Sequence, residues 1–344
     1  MVFASAAQAR VPRDFVGMSS EDVFAGGGAY RDSNLGAQAS LGVGIIRQNF
    51  DWAKIERTPG RYDFSRYDGF VAAAAAHGVK VLPILYNPPL FHARLPVSRP
   101  AYPPKSNASM ASFAVALVNR YGPRGSFWSE RPGIPRLPIR SWQIWNEPLL
   151  PVYWANRPSA RAYAKMLKVV GRAIKSADRR AEIVTAGLPP SKLQGAIPLL
   201  RFVKQLYRAR GKRYFDTLAI NSYAKNKREL AKLLRSVRKI MNRARDRKAK
   251  IWITELGWGD SGPRHRFVVG SAGQASRIAT CLATIRKLRR KLRLRGVVYY
   301  TWRDARPYPP LYQDMWGLHT GLLDLGGRPK PAFEAFRRAV GRLR

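Results

Sequence analysis

Ser141-Trp-Gln-Ile-Trp-Asn-Glu-Pro148 and Lys250-Ile-Trp-Ile-Thr-Glu-Leu-Gly-Trp258 share one pattern. In each, a short apolar run of the kind that forms a buried strand stops at a glutamate, Glu147 in the first and Glu255 in the second. A buried carboxylate without a partner costs several kcal/mol, so a glutamate at a strand end is paired, exposed or functional. Two of them are the minimum equipment for cutting a glycosidic bond. One protonates the departing oxygen while the other attacks the anomeric carbon or activates water. Residues so far apart in sequence meet only in a fold that gathers its strand ends into one cleft.

The rest of the chain reads as such a fold. Apolar, β-branched runs at 15–18, 43–47, 79–86, 139–145, 182–186, 217–221, 251–254 and 297–301 are strand candidates. Segments with apolar residues at three-and-four spacing lie near 33–39, 65–77, 107–121, 159–178, 196–210, 228–247, 273–290 and 331–342, and these are helix candidates. Eight strand–helix alternations predict an α/β fold, a single (β/α)8 TIM barrel with long loops at its C-terminal face. An open doubly wound sheet would alternate in the same way. However, no Gly-x-Gly-x-x-Gly follows a strand, and Gly26-Gly-Gly28 opens no phosphate loop. The Pro-rich connections 87–104 and 308–316 leave strand ends and are expected to build the cleft, whereas 122–138 precedes a strand and belongs to the far side or an edge.

At 344 residues and 46% hydrophobic, the chain is long enough to bury one large core, so residues 15–344 are expected to form a single catalytic domain. Residues 1–14 read as a residual leader or tail, with Ala7-Gln8-Ala9 as a cleavage-like triplet that points to export. No apolar stretch is long enough for a transmembrane helix. The single cysteine, Cys281, excludes an internal disulfide and reads as a small buried residue on a helix. His77, His92, His265 and His319 are scattered without metal-ligand spacing, so neither a metal nor another cofactor is expected. With Lys+Arg 62 against Asp+Glu 21, the formal charge is +41, which at low salt attracts acidic polymers and surfaces. The basic residues are spread over several outer helices. A nucleic-acid function, which needs them on one groove, is therefore not expected.

The predicted strand ends carry Arg47, Tyr86 with Asn87, Asn146 with Glu147, Tyr223, Glu255 and Trp302. With these residues the chain resembles the large clan of retaining (β/α)8 glycoside hydrolases, clan A, whose two catalytic motifs Trp142-Gln-Ile-Trp-Asn-Glu-Pro148 and Ile253-Thr-Glu-Leu-Gly-Trp258 match. Gly44-Ile-Ile-Arg-Gln-Asn-Phe-Asp-Trp-Ala-Lys-Ile-Glu56, Gly60-Arg-Tyr-Asp-Phe64 and Arg328-Pro-Lys-Pro-Ala-Phe333 are similar to glycoside hydrolase family 39, nearest its bacterial members that cut exopolysaccharides internally, with the β-xylosidases more distant.

The resemblance implies that Glu147 is general acid and then base, and that Glu255 is the nucleophile of a covalent glycosyl intermediate. It also implies carboxyl groups about 5 to 5.5 Å apart and retention of configuration. Charge arguments point the same way. Arg47 and the Tyr223 hydroxyl can keep Glu255 ionised, whereas Glu147, beside Trp145 and a negative neighbour, should hold its proton to mildly acidic or neutral pH. Asn146 would bond the sugar 2-hydroxyl and Trp302 would floor the reacting sugar. Tyr86, Trp154 and Trp258, with Phe91, Tyr153, Tyr308, Tyr312 and Trp316, are candidate sugar-stacking rings. One departure stands out, because Asn221 occupies a place where many relatives carry His. The expected activity is thus retaining hydrolysis of a polysaccharide or oligosaccharide, within the chain if the groove is open, and on an acidic polymer if the charge is functional. A non-catalytic binder on a barrel scaffold and a transglycosylase using the same two glutamates are the alternatives.

Overall fold

Eight apolar runs become eight parallel strands: β1 Val16–Ser19, β2 Ile45–Asp51, β3 Lys80–Tyr86, β4 Ser141–Ile144, β5 Glu182–Thr185, β6 Thr217–Asn221, β7 Lys250–Leu256 and β8 Leu294–Tyr300. They pair in sequence order, and β8 pairs back onto β1 to close a barrel. The computed structural model describes residues 10–93, 102–154, 157–308 and 312–343. Strands in such a barrel are covered on both faces, which is why they read as near-continuous apolar runs.

One long helix follows each strand: α1 Gly28–Ser40, α2 Ser65–Ala76, α3 Asn107–Tyr121, α4 Ala160–Ala177, α5 Leu199–Arg208, α6 Lys227–Arg243, α7 Gly270–Leu292 and α8 Pro331–Gly341. The helix α4 shows how its sequence fixes it. Ser159 caps it by accepting a hydrogen bond from the Ala162 amide at 3.2 Å. Tyr163, Met166, Leu167, Val170 and Ile174 face the sheet, while its charged residues face outward. Cys281 is fully buried on α7. Among the described residues, no helix is long and apolar enough to cross a membrane.

The structure departs from the sequence reading in three places. First, β2 runs on past Arg47 to Asp51, because Gln48 to Asp51 stay in register with Pro83 to Tyr86. Arg47 therefore lies inside a strand and not at its end. Second, α1 starts at Gly28, earlier than the periodicity predicts. The Arg31 guanidinium fastens its first turn by donating to the Val23, Phe24 and Gly26 carbonyls. Third, the expected boundary at residue 15 cuts a turn, Arg13–Phe15, whose Asp14 belongs to the barrel. The triplet Ala7-Gln8-Ala9 lies outside the described residues.

The barrel interior is layered. At the end where the strands begin, Asp14 accepts from Lys80 and Arg295 at 3.0 Å each, and Glu182 accepts from Arg295 at 3.2 Å, Thr217 at 2.6 Å and Ser141 at 2.8 Å. Above lies an apolar layer of Ile45, Leu82, Val184, Ala219 and Trp252. Arg295 stacks over the Trp252 ring at 4.5 Å. The polar residues of the next layer face the cleft. Burial works to raise the pKa of both Asp14 and Glu182. Arg295, helped by Lys80 at Asp14 and by the two hydroxyls at Glu182, outweighs it, so both stay below the ordinary carboxylate range. Carboxylates with depressed pKa values stabilise the fold above their unfolded pKa and lose that contribution as pH falls. Arg295→Met, measured by thermal or urea unfolding, should cost about 2 to 4 kcal/mol at neutral pH. The deficit should shrink below about pH 4, where the carboxylates take up protons in the unfolded chain. A deficit independent of pH would mean that Arg295 acts through packing alone.

Candidate active site

Regular alternation along β7 would turn Glu255 away from the cleft, because Trp252 faces the barrel interior and Ile253 the helices. A β-bulge prevents this. Ile220 pairs with Ile253 but Asn221 pairs with Glu255, so β7 holds one extra residue against β6, and its register against β8 shifts over the same stretch. As a result Thr254 and Glu255 both reach the interior. The Glu255 Oε1 accepts from the Arg47 guanidinium at 2.7 Å and its Oε2 from the Tyr223 hydroxyl at 2.5 Å. Arg47, 4% exposed, also donates to Gln143 at 2.7 Å and to the Asn146 side-chain oxygen at 3.0 Å. Gln143 is fixed in turn by donating to the Thr185 carbonyl at 2.9 Å.

Glu147 is reached by an unusual backbone. Trp145 and Glu147 have φ of +73° and +44°, in the left-handed region that bulky side chains avoid. The turn is held by the Trp145 amide on the Leu85 carbonyl and by the Trp145 indole on the Tyr153 carbonyl, at 3.0 and 2.9 Å. Strain of this kind gathers where a site must aim a side chain. The Glu147 carboxylate accepts from the Asn221 amide at 2.6 Å, and Asn221 is oriented by the Thr254 hydroxyl at 2.9 Å. Burial, and then the negative charge of Glu255, push the Glu147 pKa up to about 8, with Asn221 and Arg47 pulling against them. Asn221 therefore lowers the Glu147 pKa by direct contact, against the larger effects of burial and Glu255, in the place where the sequence reading noted a missing imidazole. Its room depends on Gly187, where an added Cβ would stand 2.1 Å from the Asn221 oxygen.

Arg47, Asn146, Tyr223 and Glu255 thus meet in one hydrogen-bonded network at the C-terminal face, Glu147 lies close enough to feel the charges of Glu255 and Arg47, and Tyr86 joins their edge. Its ring lies 5.6 Å from Trp145 and 6.3 Å from Tyr153. The three tryptophans do not join. Trp302, 1% exposed, turns its indole outward to Asn34 at 2.7 Å and packs on Phe333. Trp258 is fully buried and donates to the Ala224 carbonyl at 2.7 Å. Trp154 is sandwiched edgewise between Trp145 and Tyr163. All three are packing residues, because each ring is already covered by protein.

Other groups take those places. Tyr300, the last residue of β8, has its phenol pKa raised by burial and then by Glu255, with Tyr308 and Glu21 adding to it. Tyr153 lies against Glu147 and Tyr86 in the same way. Trp316 meets Tyr223 edge-on at 4.9 Å and stacks on His265. Glu21, just past β1, is solvent-accessible but walled in on most sides, which raises its pKa. The Gln48 and Asn49 amides hold it at 3.0 Å each. Asp51, at the end of β2, accepts from Asn87 at 2.7 Å. Glu21 and Tyr300 were legible as strand-end residues and Gln143 as a polar residue inside an apolar run, although nothing in the sequence joined them. Among the described residues, no three His, Cys, Asp or Glu side chains gather into a metal-holding group.

No protein-family model and no curated protein sequence matches the chain. Solved structures do. A family 39 glycoside hydrolase from the gut symbiont Bacteroides cellulosilyticus WH2 is similar at TM-score 0.70 and 19% identity, over 97% of this chain and 64% of that one. The GH39 enzyme from Xanthomonas axonopodis pv. citri gives TM-score 0.71 and 18% identity, over 97% and 67%. Xylanase 10B from Thermotoga petrophila RKU-1 gives TM-score 0.64 and 14% identity, over 96% and 94%. This chain therefore spans 64% of the length of the Bacteroides protein and 67% of the Xanthomonas one. What it has in common with all three is the (β/α)8 barrel.

Removing the Asn221 hydrogen bond removes the contact that lowers the Glu147 pKa. Asn221→Ala should raise that pKa by about one unit, the worth of a buried hydrogen bond to a charged group. Carbon-13 NMR titration of labelled glutamate reads it directly. Gly187→Ala, by displacing the Asn221 amide, should move it in the same direction. An unchanged titration in both variants would separate Asn221 from the acidity of Glu147.

Proposed function

We propose that the chain is a glycoside hydrolase that cleaves a polysaccharide or oligosaccharide by double displacement, with Glu255 as nucleophile and Glu147 as acid and base. The observation that carries this reading is the asymmetry of the two carboxyls. Both oxygens of Glu255 are held by donors, which suits the anionic form. Glu147 is buried and feels the charge of Glu255, and these raise its pKa, which suits a proton donor at neutral pH.

In the first step a Glu255 oxygen attacks the anomeric carbon, and the electron pair of the breaking C–O bond goes to the leaving oxygen. Glu147 protonates that oxygen as the bond breaks. The glycosyl ester on Glu255 is then opened by water, whose proton passes to the now ionised Glu147. Two inversions give net retention. As the ester forms, Glu255 loses its charge and the electrostatic pressure on Glu147 falls, so the Glu147 pKa drops and the residue stays ionised, ready to take the proton of the incoming water.

Arg47 keeps the attacking carboxylate in place and, through Asn146, holds the amide that would bond the sugar 2-hydroxyl. Tyr86, Tyr153 and Tyr300 supply the rings against which the sugar would lie. Tyr308, 59% exposed at the cleft rim beside Glu21, supports an open groove and cleavage within a chain. Among the described residues, the carboxylates at the cleft include Glu21, Asp51, Glu147 and Glu255, with Lys54 beside Asp51, and the Arg47 guanidinium is engaged by Glu255, Gln143 and Asn146. These carboxylates suit a neutral sugar at the scissile bond, so an acidic polymer would carry its charges away from that bond.

Reducing-end release from a panel of neutral and acidic polysaccharides, together with aryl glycosides, tests the reading. Glu255→Ala should abolish turnover. Glu147→Ala should keep the first step on aryl glycosides with good leaving groups while losing about 10² to 10⁴ on poor ones. Equal loss for both substrate types would refute the assignment. Glu147 donates its proton only while it holds one, so wild-type kcat/KM on a poor leaving group should fall as pH rises through about 8. That limb should vanish in Glu147→Ala assayed on a good leaving group.

A further inference from the structure

Among the described residues, carboxylates outnumber cations at the strand ends, and many of the basic residues behind the charge of +41 lie on the outer helices. There the fold gathers what the sequence scatters. Between α4 and α5 runs a groove of about 830 Å³ whose lining includes Arg161, Lys165, Lys168, Arg208 and Arg210 and no carboxylate. Arg161, Lys165 and Lys168 stand four and three residues apart, so they form one stripe on α4. Arg208 and Arg210 supply the opposite wall.

None of these five side chains has an ion pair or hydrogen bond among the described residues. Some other cations are matched, as at Lys175 with Asp216, Arg266 with Glu229 and Arg120 with Asp68, although with Lys+Arg 62 against Asp+Glu 21 many are not. Arg210 also adopts φ of +59°, a conformation that glycine would take without strain. The track continues through Arg208 into an adjoining hollow that Lys204, Lys212 and Arg243 line. Several unmatched positive charges along one furrow fit successive charges on an extended polymer better than a single small anion.

We infer that the α4–α5 groove is a docking site for an acidic polysaccharide. This inference rests on the glycoside hydrolase reading for the choice of polymer. The groove opens at Pro158 to Arg161, on the connection that leaves the Glu147 turn, so a chain held there is led to the rim of the cleft. The groove offers little to nucleic acid. The one ring in its lining, Tyr214, carries the Arg172 guanidinium at 5.6 Å, so the groove offers no series of rings for successive bases. Its concave form does not fit a flat lipid surface. Docking outside the cleft reconciles an attraction for polyanions with carboxylates at the scissile bond.

The test is binding of polygalacturonate, dextran and duplex DNA to the whole protein across about 50 to 200 mM salt. In the triple variant Lys165→Gln, Lys168→Gln, Arg208→Gln, polygalacturonate affinity at the lower salt should drop by about tenfold or more and its salt dependence should flatten. A control triple on α7, Arg286→Gln, Lys287→Gln, Arg290→Gln, removes the same charge from exposed positions outside the groove. It should lose less than about twofold if the groove and not the net charge binds. Equal losses in both triples, or no loss in the first, would overturn the proposal. So would tighter binding of DNA than of polygalacturonate with the same dependence on the groove residues. Binding needs no turnover, so the absence of hydrolysis in wild type would leave this result readable by itself.

Discussion

The guanidinium of Arg47 is the group on which the cleft depends. It is almost wholly buried, and a charge in that position is tolerable only if every face of it meets an acceptor. Glu255, Gln143 and Asn146 provide them. These residues come from β7, β4 and the turn after β4, so a single planar fork fixes the distance between both sides of the cleft. Arginine suits this role because its donors are rigidly disposed, whereas a lysine would offer one point charge on a flexible stem. Gln143 and Asn146 are second neighbours of the reacting atoms, yet they aim the fork. The network is bonded from the Thr185 carbonyl to the Tyr223 hydroxyl.

Much of this was legible in the sequence. The eight alternations followed from periodicity, because strands buried on both faces and helices buried on one leave different patterns. The two glutamates followed from chemistry, since a carboxyl after a buried Trp-rich run needs a reason. What sequence does not carry is where alternation fails. The bulge in β7 turns Glu255 inward, and a strict period of two would have placed it among the helices. The extension of β2 past Arg47 escaped notice because Gln48, Asn49 and Asp51 are polar, and polar residues in a barrel strand mark the cleft as readily as they mark a loop.

The tryptophans were misread for a related reason. A ring in a motif can stack on a sugar or seal the core, and only its partners distinguish the two. Trp302 and Trp258 each spend their one donor on protein, on Asn34 and the Ala224 carbonyl. Tyrosines with a polar tip and a half-buried ring hold the cleft wall in their place. Asn221 is the opposite case. It was noticed for lacking an imidazole, and its importance lies in the amide that it does carry.

The floor of the barrel has a consequence for how the chain comes into being. Asp14 precedes β1 and Glu182 opens β5, but both wait for Arg295 of β8, which the ribosome adds after the other seven strands. Until then β1 and β7 are open edges and two carboxylates lack their shared counter-ion. Vectorial synthesis therefore cannot seal the cylinder piecemeal. The nascent protein remains an unclosed sheet, exposed to wrong pairing, until its eighth strand emerges and fastens the first.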